Sequence, residues 1–274
     1  MEISGPRLGR RTFLAAVGAV GVAALTSACG GGGDSGALGA DDQDLGATAR
    51  TTAPPATTPP TAPPATTLPA GPSQWVSRGP TTANRIALTF HTDGDLGLAE
   101  QLLGILEARN APMTSFLVGS WLAANPSMAK RLVDGGHELA NHTYTHPSFS
   151  TLSPAAMSDE IVRTRDLLLQ LTGKPGAHFR PSGTANGIDA PSAAALAAAG
   201  SAGYPITLGY DVDPLDYQDP PAATITQRTL GAATAGSIVS LHFNHPNTIA
   251  ALPAILDGLS SRGLTPVTVS KLLG

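Results

Sequence analysis

The chain has 274 residues and seven histidines, all of which lie between residues 91 and 245. Two of them, His142 and His146, are four residues apart in the stretch HTYTH. Two imidazoles and a carboxylate make a zinc site with positions left open for water. Water bound to such an ion is acidified towards neutral pH and can attack an amide or an ester. Alone, however, HTYTH is also compatible with an ordinary polar loop.

Further polar residues directly follow short apolar runs that are predicted strands. In a parallel barrel, such positions at the carboxyl ends of strands face the substrate. Histidine, carboxylate and arginine there are suited to proton transfer and to stabilising charge. We therefore expect one site built from several strand ends. The residues at these positions are His91, Asp93, Asp95, His142, His146, Arg180, Asp211, Asp213, Asp216 and His242.

Strand and helix patterns alternate along the second part of the chain. The apolar run RIALTF is followed by LGLAEQLLGILEARN, whose leucine and isoleucine spacing is helical. Such pairs recur about seven times, which predicts a single α/β domain, either a parallel barrel or an open wound sheet.

The first part of the chain is predicted to export and tether this domain. Residues 1–29 combine Arg10 and Arg11 with a short apolar run that ends in LTSAC, typical of a twin-arginine export signal with a lipid attached to Cys29. An ordinary signal cleaved nearby is the alternative. Residues 30–80 are rich in Gly, then in Pro and Thr, and are predicted to be a disordered stalk. The folded domain is predicted over residues 81–274, at the outer face of the cell membrane or in the cell wall.

Composition argues against one class of partner. The chain has 16 basic and 20 acidic residues, a formal charge of −4, and contains no long basic run. No nucleic-acid partner is therefore expected. Cys29 is the single cysteine, so no disulfide can form within the chain.

From residue 82 onward the chain resembles the polysaccharide deacetylases of carbohydrate esterase family 4, the NodB-homology domain. The ordered motifs of that family correspond here to TFHTDG, HTYTH, RPSG, DPLDY and a late LH, and GGHELANHTYTHP is the most specific stretch. The resemblance implies a distorted parallel (β/α) barrel with about seven strands. It also implies one divalent metal, zinc first with cobalt, nickel or manganese as alternatives, and removal of acetyl groups from sugars.

The resemblance also implies a role for individual residues. His142 and His146 would be metal ligands, and His242 would be the general acid for the leaving amine. Asp213 would orient His242, and Arg180 would pair with the catalytic base. The alternatives are a buried structural histidine for His242 and a structural ion pair for Asp213 and Arg180. The other histidines, His137, His178 and His245, are expected to be structural or peripheral.

The first motif departs from the family pattern, in which two adjacent aspartates supply the base and the third metal ligand. Alignment from the strand places His91 and Thr92 on that pair, whereas alignment on the Asp-Gly dipeptide places Thr92 and Asp93 there. We expect Asp93 to be the base and Asp95 the metal ligand. His91 as base or ligand, and a plain solvated turn, are the alternatives. The third motif is also one residue short, and Tyr217 stands where the family more often has tryptophan.

These features predict a metal-dependent hydrolase that removes acetyl groups from N-acetylated, or O-acetylated, cell-envelope polysaccharide such as peptidoglycan or chitin-like oligomers. A catalytically silent, metal-containing glycan-binding domain is the alternative, and the altered first motif favours it. A hydrolase of the same fold acting on O-acetyl esters or small amides is a third possibility.

Overall fold

The structure is a computed structural model that describes residues 71–184, 187 and 189–274. The predicted export signal, Cys29 and most of the predicted stalk lie outside the described residues. The strands are β1 (Gln74–Val76), β2 (Arg85–Thr92), β3 (Thr114–Leu117), β4 (Glu138–Asn141), β5 (Ile206–Leu208), β6 (Ile238–His242) and β7 (Thr265–Val267). The α-helices are α1 (Leu96–Ala108), α2 (Gly119–Ala124), α3 (Ser127–Asp134), α4 (Pro154–Thr172), α5 (Ala193–Ser201), α6 (Ala222–Ala232), α7 (Pro246–Ser261) and α8 (Val269–Leu273).

Every strand pairing is parallel. Strands β4, β3, β2 and β6 are neighbours in that order, β7 pairs with the first residues of β2, and β1 pairs with β5. Single-residue bridges connect these pieces: Phe179 lies between Asn141 and Thr207, and Val212 pairs with Val239. Together the pairings form an irregular ring. The predicted distorted parallel barrel with about seven strands is confirmed, and the open wound sheet is wrong.

The central strand is β2, which pairs with β3, β6 and β7. Its residues from Ile86 to Phe90 are all buried, as expected for a parallel strand covered on both faces. The strand continues two residues beyond the predicted RIALTF, through His91 and Thr92. Successive strand residues point to opposite faces, so these two side chains have different surroundings.

Helix α4 is capped at both ends. Ser153 precedes Pro154 at the start of α4, and its hydroxyl accepts a hydrogen bond from the backbone N–H of Ala156. The same helix ends at Gly173, whose φ of 73° is the left-handed conformation that glycine adopts without steric cost. These caps fix the ends of α4, which lies behind the HTYTH loop.

The folded domain begins before residue 81. Strand β1 lies inside the segment predicted as stalk and pairs with β5 over three residues. The backbone N–H of Ser73 also donates to the carbonyl of Leu196 at 2.9 Å. The predicted boundary at residue 80 is therefore too late, because the short QWV segment gains its strand geometry only from the partner strand.

Apolar side chains from both faces of the ring and from the surrounding helices make the core. Within the described ranges, none of the helices combines the length and apolar character needed to cross a membrane.

Core packing at α1 gives a stability prediction. Leu102 is fully buried, whereas Leu169 on α4 is 45% exposed. Leu102→Ala should lower the free energy of unfolding by about 2–5 kcal/mol through lost apolar burial and the cavity left behind. Leu169→Ala, the matched control, should change it by less than about 0.5 kcal/mol. Urea denaturation measures both, and equal effects would contradict this packing.

Candidate active site

The HTYTH loop leaves the carboxyl end of β4 and brings His142 and His146 together. Their ring centroids are 4.9 Å apart. The Nδ1 of the buried His142 lies 2.9 Å from the carbonyl oxygen of Arg180, so Nδ1 carries the proton and donates. Its Nε2 is then an unprotonated acceptor that is buried and has no hydrogen-bond partner among the described residues. The loop thus presents one free imidazole lone pair beside a second imidazole.

Glu160, on α4, holds this loop in shape. One carboxylate oxygen accepts from the backbone N–H groups of Tyr144 and Thr145, each at 2.7 Å, and the other accepts from the Thr145 hydroxyl at 2.7 Å. Thr143 and His146 have left-handed φ values of 68° and 56°, which are unfavourable for such residues unless their surroundings fix them. The buried carboxylate supplies that constraint. Glu160 was not predicted from the sequence. Most of its partners are backbone N–H groups, which leave no pattern of residue types in the sequence.

The first motif is arranged as the alignment from the strand implies. His91 faces the histidines, with its ring stacked on that of His142 at a centroid distance of 4.2 Å and an angle of 22°. Thr92 is buried, and its hydroxyl lies 2.6 Å from the hydroxyl of Ser115 and 3.2 Å from the Phe90 carbonyl oxygen. In this first motif, therefore, the imidazole of His91 and the hydrogen-bonded hydroxyl of Thr92 stand at the two positions where the family has carboxylates.

The predicted metal ligand Asp95 is used elsewhere. It is the N-cap residue of α1, and its carboxylate accepts from the backbone N–H of Leu98 at 2.9 Å. Neighbouring Gly94 has a φ of 86°, and a Cβ there would lie 2.2 Å from the side chain of Asn244. Because of this tight turn, the Asp95 side chain caps α1 and does not line the cavity. Asp93 does line the cavity, and its role as base stays a prediction.

Arg180 is buried at the base of the cavity. Its guanidinium donates to the carbonyl oxygens of Leu208 at 3.2 Å and Gly209 at 2.9 Å, and to the Nε2 of His91 at 3.1 Å. It also lies 4.0 Å from the ring centroid of Phe116, a cation–π contact. Burial lowers the pKa of Arg180 to about 9. The predicted pairing of Arg180 with an aspartate base is wrong, because a histidine occupies that position.

His242 lies at the end of β6, in register with His91 on β2. Its Nδ1 is 2.8 Å from the carboxylate of Asp216, which also accepts from the backbone N–H of His242 and the hydroxyl of Thr248, both at 2.8 Å. Asp216 is fully buried. The residue that orients His242 is therefore Asp216, and the prediction of Asp213 for this role is wrong.

Asp213 instead accepts a hydrogen bond from the backbone N–H of Leu215 at 2.8 Å, closing a turn. Burial is the main cause that raises the pKa of Asp213. Both aspartates belong to the DPLDY stretch, and Leu215 between them has a left-handed φ of 58°.

Burial also lowers the pKa of His91 and of His142 well below the usual value, and the neighbouring histidines and Arg180 add to the effect. Both side chains are therefore neutral at pH 7. A neutral imidazole is the form that can accept a hydrogen bond or bind a cation.

These side chains surround a cavity of about 330 Å³. Tyr217, 46% exposed, forms part of its wall with its ring centroid 5.7 Å from that of His242. His245 lies at the cavity edge and precedes α7. His137 and His178 do not line this cavity, in agreement with the expectation of structural roles.

The three-ligand metal site implied by the sequence resemblance does not fit the described residues. His142 offers a free buried Nε2 and His146 lies beside it, so two donors are in place. Thr92 and Asp95 are committed to other partners. In residues 71–184, 187 and 189–274, no group of three or more His, Cys, Asp or Glu side chains is arranged to hold a metal ion. Catalytic zinc sites ordinarily have three protein ligands.

The different surroundings of Asp216 and Asp213 predict different effects of the same substitution. Asp216→Asn should lower the free energy of unfolding by about 1–3 kcal/mol, because an amide donor would face buried donors. Asp213→Asn should cost less than about 1 kcal/mol, since its raised pKa shows that the charged form is not favoured there. Urea denaturation at pH 7 measures both, and a larger loss for Asp213→Asn would contradict this assignment.

Comparison with known proteins agrees with this architecture. A family model described as polysaccharide deacetylase matches residues 78–206. A peptidoglycan-N-acetylglucosamine deacetylase of Bacillus cereus is 31% identical over 198 residues, which cover 71% of this chain and 90% of that protein. The peptidoglycan-N-acetylglucosamine deacetylase PgdA of Listeria monocytogenes is 31% identical, but the match covers 70% of this chain and only 40% of that relative.

A solved structure shares the fold. The crystal structure of BA3943 from Bacillus anthracis, described as a CE4 family pseudoenzyme, matches with a TM-score of 0.68 and 26% identity, covering 73% of this chain and 69% of that one. The fold, the ordered motifs and these matches together show that this chain belongs to the polysaccharide deacetylase family.

Proposed function

We propose that the chain removes acetyl groups from N-acetylated polysaccharide of the cell envelope. One observation carries this proposal: His142, His146, Arg180 and the Asp216–His242 pair converge on one cavity at the carboxyl ends of the strands. Relatives described as acting on peptidoglycan and as a chitin deacetylase support an acetylated glucosamine polymer as the substrate. Peptidoglycan and chitin-like oligomers are the first substrates to test, and O-acetylated glycan is the next.

The Asp216–His242 pair is suited to the proton transfers of deacetylation. The buried carboxylate fixes the imidazole with Nδ1–H towards it and stabilises the charged form that appears when Nε2 takes a proton. His242 would then return that proton to the leaving amine. Arg180 contributes a fixed positive charge at the base of the cavity, and Asp93 is the proposed second proton-transfer group.

The proposal includes a divalent metal, zinc first, held by His142 and His146. Only these two of the three predicted ligands fit among the described residues, so no chemical step is assigned to the ion. An ion with two protein ligands should be bound weakly and exchange readily.

A polysaccharide-binding protein without hydrolytic activity is the second candidate. The observation that favours it is the loss of both carboxylates from the strand end, where His91 and Thr92 stand. The similarity to a CE4 pseudoenzyme supports this alternative. The cavity and its aromatic wall at Tyr217 would still bind a sugar ring.

We also propose that the protein is exported and tethered at the outer face of the membrane by a lipid on Cys29. This rests on the sequence of residues 1–29 and of residues 30–70 of the predicted stalk, all of which lie outside the described residues. A neutral-to-acidic domain with a formal chain charge of −4 agrees with a glycan rather than a nucleic acid as partner.

The first test is acetate release by the full chain, solubilised in detergent, from peptidoglycan and from N-acetylglucosamine oligomers. Release is expected with added Zn²⁺, and chelator should reduce it if the ion takes part. Asp216→Asn should lower kcat by about 10²-fold or more, because the proton-transfer group loses its orientation. Saturable oligomer binding without any acetate release would contradict the deacetylase and select the binding protein.

Metal binding is tested separately by equilibrium dialysis with Zn²⁺ at pH 7. His142→Ala and His146→Ala should each weaken binding by about tenfold or more, since each removes a ligand. His245→Ala is the matched control, a histidine of the same cavity that is not a predicted ligand, and should leave the affinity unchanged. Equal losses in all three variants would show that these two histidines are not the site.

A further inference from the structure

Four side chains in the cavity form one continuous hydrogen-bond chain. Arg180 lies 3.1 Å from the Nε2 of His91, the Nδ1 of His91 lies 2.8 Å from the Nε2 of His242, and the Nδ1 of His242 lies 2.8 Å from Asp216. His91 and His242 stand at the ends of β2 and β6, Arg180 follows the bridge residue Phe179, and Asp216 follows the DPL turn. Each ring nitrogen of His91 and of His242 therefore has a hydrogen-bond partner among these four side chains.

The two ends of the chain fix the position of every proton. A guanidinium only donates, so the Nε2 of His91 must accept and its Nδ1 must carry the hydrogen. The Nδ1–H of His91 then donates to the Nε2 of His242. At the far end the Asp216 carboxylate already receives two other donors and can only accept, so the Nδ1 of His242 carries its hydrogen. Arg180 at one end and Asp216 at the other therefore require the same donor-to-acceptor direction, from Arg180 through His91 and His242 to Asp216.

We propose that His91 is a positioning residue that holds His242 in its Nδ1–H form and occupies the Nε2 lone pair of His242 in the resting site. His91 consequently has no free nitrogen and acts neither as base nor as metal ligand in this arrangement. Its stacking on His142 leaves the Nε2 of His142 as a free buried acceptor in the cavity.

Under the proposed function, on which this step rests, the resting hydrogen bond must break during turnover. The attacking water or the leaving amine needs the Nε2 of His242, and His91 already donates to that atom. Substrate must therefore displace the His91–His242 hydrogen bond before proton transfer. The arrangement of the resting hydrogen bonds themselves does not depend on any activity.

Two variants separate the hydrogen bond from simple packing. In His91→Asn, the side-chain amide nitrogen stands at the δ position and can still donate to the Nε2 of His242. In His91→Leu, the side chain fills similar space and donates nothing. Because Asn cannot reproduce the ring, circular dichroism and urea denaturation must first show that both variants are folded.

Long-range ¹H–¹⁵N correlation spectra of the histidine side chains read the hydrogen bonds directly. In the unsubstituted protein, His91 and His242 should both show the Nδ1–H form. The Nε2 resonance of His242 should move in His91→Leu and stay near its original position in His91→Asn. His137, which does not line the cavity and accepts from the backbone N–H of Met113, is the internal control and should not move. An Nε2–H form for either His91 or His242 in the unsubstituted protein would overturn the proposal.

Reaction with diethylpyrocarbonate, mapped by mass spectrometry, tests whether the lone pair is occupied. The rate of carbethoxylation of His242, measured relative to that of His245, should be about fivefold higher in His91→Leu than in the unsubstituted protein. This factor corresponds to the loss of one ordinary hydrogen bond. His91→Asn should restore most of the protection. Equal reactivity of His242 in all three proteins would show that its Nε2 is not held, whether or not the protein releases acetate.

Discussion

The buried guanidinium of Arg180 is the charge around which the candidate site is organised. A cation removed from water must be surrounded by acceptors, and here these are two carbonyl oxygens at the end of β5, the face of Phe116 and one nitrogen of His91. The carbonyl of the same residue fixes His142. One side chain and its own peptide group thus connect the ends of β2, β4 and β5.

This arrangement is unusual because the partner of the cation in the first motif is a neutral imidazole. An aspartate there would make an ion pair and would retain free oxygen atoms for catalysis. His91 accepts the hydrogen bond of Arg180, but because both of its ring nitrogens are hydrogen-bonded it has no free atom left for catalysis. The same residue then engages His242, so the first motif serves the hydrogen-bond network of the site and contributes no ligand of its own.

The chain therefore combines a well-formed family fold with an altered centre. His142 and Thr143 of the HTYTH loop are buried, as are Glu160 and Asp216, and hydrogen bonds join Glu160 to the loop and Asp216 to His242. The two positions next to the cavity no longer supply carboxylates. Under the proposed function, His91 must release His242 before proton transfer.

Much of this could be predicted from the sequence. The alternation of apolar runs and helical patterns determined the parallel α/β architecture, because strand and helix periodicities are local properties of the chain. HTYTH, Arg180 and His242 were identified because motif order and strand ends place them at one edge of a barrel. The predicted start of the folded domain was late, since β1 is stabilised by its partner strand and carries almost no signal of its own.

Only the tertiary structure decided which polar residues work together. The sequence allowed two alignments of TFHTDGD and favoured Asp93 and Asp95 as functional residues, whereas in the structure β2 continues through Thr92, which turns His91 towards the cavity and buries Thr92. Asp213 and Asp216 are three residues apart, yet Asp216 contacts His242 whereas Asp213 accepts from the backbone N–H of Leu215. The physical reason is that local sequence sets periodicity and caps, whereas hydrogen bonds between distant strands set which of several similar side chains faces its partner.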